Sequence, residues 1–105
     1  MTQNFSNLAL EFTANASSLF AEVFVENDTN HSIDKAVMGA LHDAYFAISD
    51  AFSSFDDNEI CIEEFVEIID QSIVKLMHHK DANKFVNSAL DLYTEASNEL
   101  RSMLS

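Results

Sequence analysis

One glycine and no proline in 105 residues narrow the possible folds of this chain more than any other feature. Turn-rich β proteins lean on glycine, which adopts positive φ freely, and on proline, which fixes φ near −65°, and this chain has almost none of either. Helices joined by short Asn, Asp and Ser turns need neither. The chain therefore reads as all-α. With 48% hydrophobic residues it can build a core, which separates it from disordered acidic chains. The length suits one helical domain, residues 1–105.

Apolar residues recurring at steps of three and four predict four helices. The first is expected over residues 6–26, with Phe5, Leu8, Phe12, Ala16, Leu19 and Val23 as its stripe and Phe20 and Phe24 widening it. Asn27-Asp28-Thr29-Asn30-His31 reads as the break after it. Ser32 is the expected N-cap of the second helix, with Asp34 in its first turn. Ile33, Val37, Leu41, Ala44, Ile48, Ala51 and Phe55 form the second stripe, and Gly39 reads as a point of close helix packing. Asp56 with Glu59 resembles a capping box that starts the third helix. Ile62, Phe65, Ile69, Ile73 and Leu76 then share one face, with Val66 and Met77 beside it, up to His78-His79-Lys80. Asp81 is the expected cap of the fourth helix, whose apolar residues run from Phe85 to Leu104. Short connections predict an antiparallel four-helix bundle. Phe20, Phe24, Tyr45 and Phe46 exceed what a small core needs, so a homodimer stays open beside a monomer.

Eighteen acids against five Lys and Arg leave a net charge of −13. Over the roughly 5,900 Å² that a chain of this length exposes, that is about one net negative charge per 450 Å². Such a field repels nucleic acid and anionic lipid and attracts cationic partners, so neither direct nucleic-acid nor membrane binding is expected.

The acids are also clustered. No Lys or Arg lies between Lys35 and Lys75, an interval holding nine acids. The expected partner-binding residues are Asp56, Asp57, Glu59, Glu63, Glu64, Glu67 and Asp70, followed by Asp91, Glu95 and Glu99. Glu59, Glu63 and Glu67 at i, i+4, i+8 are expected along one edge of helix three, extended by Asp70, with Asp91, Glu95 and Glu99 repeating the spacing on helix four. Carboxylates one helical turn apart lie about 5–6 Å from each other, close to the phosphate spacing of a nucleic-acid strand. The expected function is non-enzymatic: docking on a basic surface of a nucleic-acid-processing protein and inhibiting it, as phage-type inhibitors of host defence and nuclease immunity proteins do. The bland reading is that the acids serve solubility alone. A second functional reading is an assembly module acting through an apolar groove or a dimer face.

Residues 51–65 are similar at both ends to an EF-hand, through Phe52-x-x-Phe55-Asp56 and Ile60-x-x-x-Glu64-Phe65. Between them the stretch is three residues too short. With Glu64 at the closing position, Ser53 and Phe55 fall on the first and third loop positions and Asn58 on the glycine. A loop starting near Glu26 has His31 in place of glycine and Val37 in place of the closing Glu. A degenerate calcium binder is thus a minor alternative.

Catalytic signatures are missing. There is no Gly-x-Ser-x-Gly, no Gly-rich phosphate loop and no Glu-x-x-His, and adjacent His78 and His79 diverge on a helix. Cys61, the single cysteine, reads as a small buried apolar residue. No enzyme activity, cofactor or metal is expected. Met1-Thr2-Gln3-Asn4-Phe5 lacks the basic start of a signal peptide, and no uninterrupted apolar run approaches the ~20 residues of a membrane span. The expected location is the cytoplasm.

Overall fold

The computed structural model describes residues 2–30 and 33–104, with side chains for 5–28 and 33–104. Four helices, α1 (Thr2–Asn30), α2 (Lys35–Asp56), α3 (Ile62–Met77) and α4 (Lys84–Leu104), account for all regular structure among the described residues. The 29 residues of α1 rise about 43 Å, which explains a long dimension of 44 Å against 21 and 17 Å across. The α2–α3 interface is the most extensive. Helix α4 packs on α1 and α3, α1 on α2, and α2 and α4 touch lightly.

The core draws on all four helices. Phe5, Ala9, Phe12, Ala16 and Val23 of α1 meet Val37, Leu41, Ala44, Ile48 and Ala51 of α2. Phe65, Val66, Ile69 and Leu76 of α3 and Val86, Ala89, Tyr93 and Leu100 of α4 complete it. Phe12 meets Phe65 at 6.5 Å and Tyr93 at 5.5 Å, both edge to face, and Phe65 stacks on Phe55 at 5.7 Å. Burial, with a contribution from the nearby Tyr45, pushes the Tyr93 phenol well above its usual range. By length and composition the stretch Phe5–Asp28 would also suffice to cross a membrane. It carries Glu11, Glu22, Glu26 and Asp28, costly groups inside a bilayer.

The helix ends differ from the sequence expectations. Helix α1 continues through Asn27 to Asn30, since Asn, Asp and Thr each cost a helix only a few tenths of a kcal/mol. Ser32, the expected cap, and His31 lie outside the described residues. Helix α2 is capped by Asp34, whose carboxylate accepts from the Ala36 amide at 3.2 Å.

Asp56 does not start α3; it is the last residue of α2. Asn58 follows with φ of 62°. The Glu59 amide donates to the Ser54 carbonyl at 2.8 Å and the Asn58 amide to the Phe55 carbonyl at 3.1 Å. That pair of bonds is a Schellman cap with Asn in the place usually taken by Gly. Helix α3 begins after Cys61, which occupies its N-cap with no capping bond from its side chain.

Asp81 does not cap α4 either. It takes φ of 66° and exchanges hydrogen bonds with the Asn87 side chain, while the Asn83 side chain accepts from the Val86 amide at 2.9 Å and does the capping. Gly39, expected at a close helix contact, is exposed, and a Cβ built there meets nothing within 4 Å.

That open space yields a prediction. Gly39→Ala should stabilise the fold by about 0.5–1 kcal/mol, because Ala loses less backbone entropy in a helix. The denaturant midpoint measures it; an unchanged or lower midpoint would show that the glycine serves a contact.

Candidate functional site

The buried line Phe65, Ile69, Ser72 and Leu76 fixes how α3 is turned. Glu63, Glu67 and Asp70 follow one another at i, i+4, i+7; Glu63 and Glu67 are exposed, and Asp70 meets α4. Glu64 falls on the opposite flank, near the line of Lys75, which faces α2 across a groove lined by Ala36, Ala40 and Asp43. Glu59 precedes the helix, so the expected single edge of Glu59, Glu63 and Glu67 does not form on α3. Asp56 and Asp57 stand exposed at the end of α2.

On α4 the buried line Val86, Ala89, Tyr93, Ser97 and Leu100 turns Asp91, Glu95 and Glu99 outward. Asp91 borders a groove against α3 that also contains Met77 and Lys80. Glu95 and Glu99 border that groove and also the one on the other side, against α1. There the packing of α1 brings in Glu11, an acid that looks isolated in the sequence. Leu8, Phe12, Leu92 and Ala96 form the floor between the three carboxylates.

The carboxylates are not all free. The Ser97 hydroxyl donates to one Asp70 oxygen at 2.6 Å, and an Arg101 guanidinium nitrogen pairs with the other. Arg101 Nε also donates to the Ser97 hydroxyl at 3.3 Å, which closes a three-residue network. Asp70 therefore does not extend the negative edge, and Arg101 interrupts it between α3 and α4. Of the ten expected residues only Asp70 has an ion-pair partner among the described residues. Uncompensated like charges a turn apart cost a helix a few tenths of a kcal/mol per pair.

Cys61 is exposed, contrary to the burial expected for it, because the N-cap position lies outside the core. Its thiol donates to a Glu64 carboxylate oxygen at 3.3 Å. The Glu64 backbone amide draws the thiol pKa down, but hydrogen bonding to Glu63, desolvation and Glu64 outweigh it and leave it raised. A raised thiol is a weak nucleophile. The same thiol, with a backbone amide, holds the Glu63 carboxyl below its usual range. Among the described residues no three His, Cys, Asp or Glu side chains converge as a metal site requires. The EF-hand-like aromatics Phe52 and Phe55 pack instead on Phe65.

A second surface, away from the acids of α3 and α4, is aromatic and is bordered by Asp43, which meets the His42 ring at 3.3 Å. Phe20 of α1 stacks on Tyr45 of α2 at 5.0 Å and meets Phe46 and His42 at 5.9 Å each. Phe24 adjoins them, and Phe24 and Phe46 are 59% and 44% exposed. Comparison with known protein families, with curated proteins and with solved structures finds no match for this chain.

The Asp70–Arg101 pair is about half exposed, which sets its scale. A double-mutant cycle of Asp70→Asn and Arg101→Ala in urea should return a coupling of about 0.2–1 kcal/mol that shrinks at high salt. A coupling above about 2 kcal/mol, insensitive to salt, would assign the pair to the interior.

Proposed function

We propose that this chain is an antiparallel bundle that acts without catalysis, by presenting the carboxylates of α3 and α4 to a basic surface of a nucleic-acid-processing protein and obstructing it. One observation carries the reading. Glu63, Glu67, Asp91, Glu95 and Glu99 stand on outward faces of two adjacent helices with no ion-pair partner among the described residues. Solvated helix faces ordinarily mix charge signs, and here Glu63 and Glu67 on α3 and Asp91, Glu95 and Glu99 on α4 form two all-acid rows, with Arg101 between them. Asp56, Asp57, Glu59 and Glu64 add to the long-range field from the α2–α3 end of the bundle. Such a field speeds association with a cationic partner and makes it sensitive to salt.

The test uses Glu63→Lys, Glu67→Lys, Glu95→Lys and Glu99→Lys together; Asp70 is left alone because Arg101 already compensates it. The wild-type chain should retain a nucleic-acid-binding protein at low salt and release it to added duplex DNA or RNA. It should also lower that protein's activity, while the fourfold variant, equally helical, does neither. Equal capture and inhibition by the variant would refute the reading.

The aromatic face favours a second reading, self-association of the chain through Phe20, Phe24, Tyr45 and Phe46. Two copies of a chain with net charge −13 repel each other, and this ring cluster is an apolar face where approach costs least. Sedimentation equilibrium should then give a dimer across the micromolar range, and Phe24→Lys with Phe46→Lys should give a monomer. A monomeric wild type at every concentration removes the dimer.

A further inference from the structure

The two grooves beside α4 differ in chemistry. The one against α3 is lined by Lys80 as well as by Asp91. The one against α1, of about 190 Å³, sets Glu11, Glu95 and Glu99 around Leu8, Phe12, Leu92 and Ala96, and among the described residues no cationic side chain lines it. Its volume falls short of the roughly 300 Å³ at which small-molecule sites begin, but it has room for an aliphatic side chain. A simple polycation would satisfy the rim and leave the floor wet, and a neutral apolar ligand would do the reverse. A helix with an aliphatic stripe flanked by Lys or Arg satisfies both. Glu95 and Glu99, one turn apart, match the spacing of basic residues at i and i+4 on such a helix.

We propose that the α1–α4 groove seats a cationic amphipathic helix of the partner protein. An aliphatic side chain enters between Leu8 and Leu92, and basic residues meet Glu11, Glu95 and Glu99. This rests on the docking reading and names the partner's chemistry. It also explains why the acids border an apolar channel, a placement that solubility does not require.

The probe is a synthetic helical peptide of Leu and Lys with a leucine stripe, against a scrambled peptide of the same composition. The patterned peptide should bind saturably, with amide shifts centred on Leu8, Glu11, Leu92 and Ala96, and the scrambled one at least about tenfold more weakly. Ala96→Phe, which fills the floor, should weaken the patterned peptide by about the same factor. Because Phe could disturb the packing of α1 on α4, Glu11→Gln with Glu99→Gln, both at exposed positions, provides the second arm and should also weaken it. Equal binding of the two peptides, or shifts centred on Glu63 and Glu67, would overturn the groove and leave the docking reading standing. If neither peptide binds and no basic protein is captured, both fall.

Discussion

Everything on the surface of this bundle depends on one chain of aromatic contacts. Phe12 of α1 meets Phe65 of α3 and Tyr93 of α4 edge on, and Phe65 stacks on Phe55 of α2, so three contacts tie four helices. Around them Ile48, Ile69, Leu76, Val86 and Leu100 are almost wholly buried, each contributing about 1.5–3 kcal/mol relative to exposure. Against that, each uncompensated carboxylate pair a turn apart costs only a few tenths of a kcal/mol. The core wins by a wide margin, which leaves the outer faces free to carry unpaired charge.

Helix α4 is where core and surface meet. Its inner line holds Tyr93 and Leu100, its flank toward α3 holds the Ser97–Asp70–Arg101 network, and its outer face carries Asp91, Glu95 and Glu99. Arg101 does two things at once. It links α4 to α3 through Asp70, and it divides the negative surface into an α3 portion around Glu63 and Glu67 and an α4 portion that reaches across to Glu11. On the docking reading, that division gives a partner two separate places to engage.

The stripes were legible in the sequence because a 3.6-residue period records which residues face inward. Val37, Leu41, Ala44, Ile48 and Ala51, and likewise Phe65, Val66, Ile69 and Leu76, are buried as their spacing predicts. The helix ends were not. Asn, Asp and Ser can cap a helix, adopt positive φ, or sit solvated within a helix at little cost. Asn58 and Asp81 take the second course, Asn83 and Asp34 the first, and Asn27 and Asp28 the third. Nothing in composition separates these fates. The site was half legible for a related reason. The row Asp91, Glu95 and Glu99 follows from spacing alone, whereas Glu11 joins it only because α1 packs on α4, and Asp70 leaves it only because Arg101 lies across the interface. Phe20 and Phe24 read as a widened core stripe, yet they form part of a surface cluster with His42, Tyr45 and Phe46.

The central claim is that most of these carboxylates are uncompensated, and folding stability as a function of salt tests it most directly. Unpaired like charges repel, so screening them should raise the denaturant midpoint steadily as NaCl increases through about 0.1 M, where the Debye length falls to ~10 Å. Replacing Glu95 and Glu99 by Gln should flatten that rise. A midpoint that is flat, or that falls as salt is added, would mean that the acids are held in ion pairs, and neither the α3 nor the α4 row would be uncompensated.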